Sequence, residues 1–321
     1  MDEGSTTEAG GGSPAATATA RPTVSRTAVL LAFAAVYVLW GSTYLAIRVA
    51  VAVLPPFLMA GVRFLIAGGV LYAWARWRGA LGPSARQWGA ALVAGALLLG
   101  GGNSGVVWAE QSVPSGLAAL LVATVPVWVA LADWLRPGGS RPAPTALVGL
   151  ALGLAGVAWL VGPGLRDEAG SPAGVAAVLL ASVAWSVGSI YVRHAPRPTS
   201  PLIGAAAQML CGGAVLTVAG LVAGEAGRFD PGRVTAGALA AVGYLVVFGA
   251  LLAYTAYAWL LRHVRPTLVA TYAFVNPVVA VLLGVALAGE RLPPEALAAG
   301  AAVVASVALV VVGGGDRRRP G

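Results

Sequence analysis

Apolar residues come in long unbroken runs, each closed by a short stretch carrying Pro, Gly or Arg, and ten such runs follow one another along the chain. The pattern predicts helices over 27–52, 56–77, 86–109, 114–135, 142–163, 172–193, 200–223, 234–261, 265–288 and 293–313. Each reaches the roughly 20 residues needed to cross about 30 Å of hydrocarbon. In lipid, only helices and closed barrels satisfy their own backbone hydrogen bonds. A barrel would need alternating segments of about ten residues, and this chain lacks them. The expected fold class is an all-α membrane protein with ten transmembrane helices. Joints such as Leu54-Pro55-Pro56 and Leu292-Pro293-Pro294 suit helix starts, where proline's missing N–H goes unused.

The pattern also repeats itself. With Pro126 placed on Pro277, Trp108 falls on Trp259, Gly149 on Gly300 and Gly162 on Gly313, and the step from Pro126 to Pro142 recurs from Pro277 to Pro293. In the first span of each half Gly41-Ser42-Thr43-Tyr44 matches Gly188-Ser189-Ile190-Tyr191; in the second, Gly68 matches Gly213 and Arg63 falls on Gln208. Five spans per unit is an odd number, so the second copy inserts upside down. Two inverted five-helix repeats around a midplane cavity suit alternating access. The expected organisation is a disordered cytoplasmic tail over 1–26, repeats over 27–163 and 172–313, and a basic cytoplasmic tail over 314–321.

Composition agrees. The chain is 58% hydrophobic and 10% charged, with a mean hydropathy of +0.83, against about 25% charged for a soluble domain. All basic residues are Arg, and the net charge is +8. That excess does not point to nucleic acid, because the Arg residues lie between apolar spans and form no single basic face. They set orientation instead. The termini and the loops after even-numbered spans hold Arg21, Arg26, Arg76, Arg78, Arg86, Arg136, Arg141, Arg193, Arg197, Arg262, Arg265 and Arg317 to Arg319. The loops after odd-numbered spans hold Arg166, Arg228, Arg233 and Arg291, with the acidic Asp167, Glu168, Glu225, Asp230 and Glu290. The positive-inside rule then places both termini in the cytoplasm of a multi-pass plasma-membrane protein. The single cysteine, Cys211, excludes an internal disulfide.

Four segments carry a resemblance. Trp40-Gly41-Ser42-Thr43-Tyr44, Ala60-Gly61-Val62-Arg63-Phe64, Ala109-Glu110-Gln111-Ser112-Val113-Pro114-Ser115-Gly116 and Tyr272-Ala273-Phe274-Val275-Asn276-Pro277-Val278-Val279-Ala280 resemble the EamA-type drug/metabolite transporter superfamily, and within it the YedA-like bacterial inner-membrane exporters. The resemblance implies a ten-helix carrier that exports small metabolites, amino acids or toxic compounds. The chain departs from it at Pro137-Gly138-Gly139, where the second half has Ala288-Gly289-Glu290; Glu290 therefore has no acidic counterpart.

Candidate site residues follow from polarity at depth. Pro126 and Pro277 near mid-span would free the carbonyls of Val122 and Ala273, which then need a polar partner or a wet cavity. Asn276 adds an amide beside one of them. Arg63 lies roughly 10 Å inside the second span at 1.5 Å per residue. A charge there costs at least about 2–3 kcal/mol, so it faces a partner or a cavity. It either anchors an anionic substrate, pairs with a carboxylate such as Glu110, or snorkels outward. Arg48, nearer its span end, is expected to snorkel. Asp133 beside Arg136 is expected to form a local ion pair, with a proton site as the alternative. Ser42, Tyr44, Asn103, Ser104, Gln208, Tyr254, Tyr257 and Tyr272 supply polar groups for a largely apolar pocket, with Trp40 and Trp185 as possible walls.

One short motif points to an enzyme. Gly102-Asn103-Ser104-Gly105 matches the Gly-x-Ser-Gly of intramembrane serine proteases, but a serine nucleophile needs a base in reach. His194 and His263 fall at the other ends of their spans. No metal motif or phosphate-binding loop is present in the sequence, and no cofactor is implied. The expected function is a secondary exporter of small molecules by alternating access, lined by spans one, three, four, six, eight and nine. An uncoupled uptake or exchange carrier is the alternative. The partners are substrate and lipid; Gly149-x-x-x-Gly153 leaves open whether chains associate.

Overall fold

The computed structural model describes residues 25–139, 143–160, 171–289 and 294–315. The two tails, most of the loop after the fifth span, and Arg141, Pro142, Gly162, Glu290, Arg291 and Pro293 lie outside the described residues. Helices follow in the expected order: α1 (Arg26–Val51), α2 (Pro56–Trp77), α3 (Ala85–Ala109), α4 (Ser115–Leu135), α5 (Pro144–Leu160), α6 (Pro172–His194), α7 (Pro201–Val222), α8 (Ala236–His263), α9 (Pro266–Val269, then Tyr272–Ala288) and α10 (Pro294–Gly315). Among the described residues, seven of these runs, α1 to α4 and α6 to α8, are both long and apolar enough to cross a bilayer. Large apolar side chains including Leu30, Val70, Leu180, Val218, Leu239 and Leu282 point outward, as a surface in contact with lipid requires.

Local chemistry explains the starts. Pro56, Pro144, Pro172, Pro201, Pro266 and Pro294 open their helices, where no N–H is required. Ser84 forms a capping box with Gln87 at α3, and Ser171, Ser200 and Thr235 accept from the first turns of α6, α7 and α8, satisfying N–H groups that have no partner inside the helix. The start of α2 is capped from far away. Glu225, just past the end of α7, accepts from the backbone N–H groups of Phe57 (3.2 Å) and Leu58 (2.8 Å). The sequence placed Glu225 among solvent-facing loop acids, but it is 2% exposed. A carboxylate at a helix N-terminus meets both orphan donors and the positive end of the macrodipole.

Glycine sets the packing. A Cβ on Gly61 would strike Thr217 and Gly213 of α7; one on Gly68 would meet Met209, and one on Gly220 would meet Leu58. Positions rise along α2 as they fall along α7, so these counterpart helices of the two halves run antiparallel in close backbone contact, as small residues allow. The same falls between α3 and α6, where Gly101 meets Ala184, Gly105 meets Ala181 and Leu98 meets Gly188. Gly153 of α5 packs on Ser306 of α10 within the chain.

Three helices carry stretches of wide π turns: Ala35–Leu39 in α1, Ala96–Asn103 in α3 and Leu245–Tyr254 in α8. Nothing in the apolar periodicity announces them. The last two occupy corresponding places in the two halves. The interruptions in α4 and α9 also differ from the expectation of kinks formed by mid-span prolines. α4 breaks at Ala123–Thr124, ahead of Pro126, which becomes the second residue of a new helix, Val125–Leu135. α9 breaks at Ala270–Thr271, and Pro277 continues inside Tyr272–Ala288. The breaks are tight turns: Thr124 N donates to Leu121 O (3.1 Å) and Ala273 N to Ala270 O (3.1 Å).

Candidate functional site

The π stretches of α3 and α8 and the residues flanking the breaks in α4 and α9 line one cavity. It is walled by α1 (Trp40, Thr43, Tyr44, Ile47), α2 (Arg63, Phe64), α3 (Leu99, Gly102, Asn103, Val106), α4 (Val122, Val125), α6 (Ala181, Ser182, Trp185), α8 (Gly249, Tyr254) and α9 (Tyr272, Asn276). This adds α2 to the helices expected from sequence.

Arg63 is 3% exposed. Its Nη2 donates to Oδ1 of Asn103 at 2.5 Å, and its guanidinium lies 4.6 Å from the Phe64 ring centroid, within the range of a cation–π contact worth roughly 0.5–2 kcal/mol. Its Nε has no hydrogen-bond partner among the described residues. Burial excludes snorkelling. Glu110, 1% exposed, attracts Arg63 through space, but the direct hydrogen bond goes to Asn103.

The other half repeats this pair in altered chemistry. Gln208, which falls on Arg63, accepts from the hydroxyl of Tyr254 at 2.8 Å, and Tyr254 falls on Asn103 in the alignment that places Trp108 on Trp259. A side chain from the second helix of each half thus bonds one from the end of the π stretch in the third. Gln208 lies outside the main cavity, in a smaller pocket with Gln87, Arg197 and Arg262.

Side chains also use carbonyls of the π stretches. Trp40 Nε1 donates to Gly249 O (3.1 Å). Asn276 donates to Tyr37 O (2.9 Å) and Tyr272 O (3.2 Å) in the amide orientation that matches donors to acceptors. Ser104 donates to Gly100 O. A π turn sets neighbouring carbonyls apart from the regular ladder, which is one reason such turns gather at functional sites.

An aromatic cluster lines the same cavity as Arg63. Trp40 meets Trp185 and Tyr272 edge to face, at centroid distances of 5.4 and 5.2 Å. Tyr257 lies behind them, 5.0 Å from Trp40; its hydroxyl accepts from Trp185 Nε1 (3.0 Å) and bonds Ser189 (2.6 Å).

Other expected site residues lie elsewhere. Ser42 donates to Leu39 O and bonds the Tyr244 hydroxyl at 2.5 Å, joining α1 to α8 and leaving the cavity wall to Thr43 and Tyr44. Pro126 and Pro277 are buried beside the cavity, whose wall is supplied by their neighbours Val125 and Asn276. Arg48 reaches the loop between α3 and α4, where it donates to Val113 O (3.0 Å). Asp133 and Arg136 form the expected local pair at 2.6 Å, about one third exposed. His194 and His263 bond carbonyls of their own helices, Ile190 and Trp259. Phe64, Val106 and the Gly249 carbonyl were missed, since apolar side chains and a backbone group carry no polar signal in a helical run; Ser182, whose hydroxyl bonds the Val178 carbonyl one turn back (2.9 Å), was missed as well.

The model of the EamA-like transporter family matches twice, over residues 26–162 and 172–312. The chain belongs to this family. It is 44% identical over 271 residues, 84% of this chain and 86% of the relative, to a protein of Escherichia coli (strain K12) named uncharacterized inner membrane transporter YedA. It is 28% identical over 263 residues, 80% of this chain and 82% of the relative, to uncharacterized transporter YvbV of Bacillus subtilis (strain 168). One solved crystal structure superposes with a TM-score of 0.62 at 25% identity, covering 90% of this chain and 98% of that one. The protein is a multi-pass membrane transporter and not an enzyme.

Proposed function

We propose that this EamA-family chain is a secondary exporter that moves small metabolites, amino acids or drug-like compounds across the plasma membrane by alternating access. Two inverted five-helix repeats, both termini in the cytoplasm, rock about the cavity between them and open it to one side at a time. The single observation that carries this reading is the cavity itself, walled by α1 to α4 of one repeat and α6, α8 and α9 of the other, with a buried cation in its wall. The antiparallel run of α2 against α7 and the mirrored Arg63–Asn103 and Gln208–Tyr254 pairs support inversion. The residue bets for substrate contact are Arg63, Asn103, Tyr44, Tyr254, Tyr272 and Asn276 in the wall, with Pro126, Pro277, Gln208 and Ser42 shaping it from behind.

The test is flux in sealed vesicles of known orientation. Inside-out vesicles carrying the protein should accumulate labelled substrate, and right-side-out vesicles should not. Equal flux in both, unaffected by a protonophore, favours the alternative, an uncoupled uptake or exchange carrier. That alternative draws support from the wall chemistry: no carboxylate is among the described residues lining the cavity.

A further inference from the structure

We propose that the cavity is selective for small organic monoanions, carboxylates above all, with a flat apolar body and no ammonium group. The inference rests on the reading of this cavity as the substrate site and narrows the substrates named above to one class, leaving out the amino acids. Arg63 is the one ionisable cation among the described lining residues. It is 3% exposed, and its Nε lacks a hydrogen-bond partner among the described residues. Asn103 already holds one edge of the guanidinium through Nη2, so the fork is fixed in place with a donor to spare. The unpartnered Nε–H of a guanidinium fixed at Nη2 suits a carboxylate, whose oxygen makes a charge-assisted hydrogen bond with it.

The rest of the wall selects against a second charge. The described lining residues include no Asp or Glu, and Glu110, although it attracts Arg63, is not among them. Glu110 acts on the wall residue Arg63 from behind it, so an ammonium in the cavity would lose its water without gaining a direct carboxylate contact among the described lining residues. The rings do not make up the loss. Trp40, Trp185 and Tyr272 meet edge to face, so their π faces are partly taken up by one another, and the charge of Arg63 repels a cation nearby. The same rings suit a flat apolar body, which adds contact area beside the anchored carboxylate.

The test compares three probes that share one ring and differ in charge: phenylacetate (anion), phenylalanine (zwitterion) and phenethylamine (cation). Binding to the purified full chain in detergent is measured by calorimetry at pH 7, alongside counterflow of labelled phenylacetate in proteoliposomes. Phenylacetate is expected to bind at least tenfold tighter than either other probe. Arg63→Gln should erase that order, and Arg63→Lys should keep the preference for the anion at lower affinity. Because the charge series is run on the unsubstituted protein, the result stands even if a variant fails to fold. Equal or tighter binding of phenylalanine or phenethylamine overturns the proposal. So does failure of all three to bind at millimolar concentration, or unchanged phenylacetate binding to a folded Arg63→Gln protein. Binding of phenylacetate without counterflow would uphold the anion site and overturn its reading as a transport site, so the two failures are distinct.

Discussion

Arg63 and Asn103 sit on different helices of one repeat, joined at 2.5 Å, and their counterparts Gln208 and Tyr254 are joined at 2.8 Å in the other. One pair is charged and lines the main cavity; the other is neutral and only Tyr254 reaches the wall. The two repeats have therefore kept the geometry of a link between their second and third helices while giving its chemistry different tasks. Removing the acceptor of the charged pair should matter more. Asn103→Leu leaves a buried guanidinium short of a partner, a loss of about 1.5–3 kcal/mol or roughly 10–100-fold. Gln208→Leu removes a neutral bond and should cost about 0.5–1.5 kcal/mol. Transport rates of the two variants at equal expression check the order; a larger loss for Gln208→Leu would refute it.

The α2–α7 contact has no room to spare. Gly61→Val pushes a side chain into the Gly213 and Thr217 backbone, and overpacking of this kind costs about 1–3 kcal/mol. Gly69, on the same helix, meets nothing within 4 Å, so Gly69→Val should be nearly neutral in packing. Melting temperatures in detergent should fall for the first variant and hold for the second.

Glu225 ties the end of α7 to the start of α2. Glu225→Ala leaves the Phe57 and Leu58 N–H groups without that acceptor and removes a favourable charge at a helix N-terminus, together about 1–2 kcal/mol. Glu225→Gln keeps one acceptor oxygen and should recover part of the loss. The ranking of melting temperatures, native above Gln above Ala, is the measurement.

A polar latch closes the end of the molecule opposite Glu225. Arg262 donates to Pro198 O (3.2 Å) and Thr199 O (3.4 Å), and Gln87 Nε2 donates to Arg197 O (3.0 Å). These bonds hold α8 and α3 to the α6–α7 loop over the pocket that contains Gln208. In a Cys211→Ser background, a cysteine at position 208 should react faster with a water-soluble maleimide once Arg262→Ala is added. An unchanged rate would show that the latch does not gate this pocket.

The orientation expected from the arginines has a direct check. With both ends in the cytoplasm, as proposed, green fluorescent protein fused to either terminus should fluoresce, and alkaline phosphatase fused to either should be inactive. One active phosphatase fusion would break the ten-span count.

Much of this was legible because lipid leaves a chain few choices. Runs of about 20 apolar residues must become helices there, so the helix order and most boundaries could be read within a few residues. Arg63 stood out for the same reason: a charge deep in an apolar span has to be accounted for. Ser42 shows the limit. Its neighbours Thr43 and Tyr44 face the cavity and it does not. In a helix that is apolar all round, no polar stripe marks the direction in which it is turned. Pro126 and Pro277 show another. A missing N–H marks where a helix is weak, but the breaks fell at Ala123–Thr124 and Ala270–Thr271, where turns and neighbouring helices could take up the loose groups.

The sequence by itself determined that the chain crosses a membrane in helices, that it is built twice over, and that one arginine lies at depth. These depend on composition and spacing, which solvent and chain geometry act on locally. The tertiary structure alone decided that Arg63 reaches Asn103 and leaves Nε without a partner among the described residues, that Glu225 caps a helix 168 positions away in the chain, and that the π stretches of α3 and α8 line one cavity. Those outcomes depend on how helices rotate and settle against one another, and that is set by contacts between residues far apart in the chain.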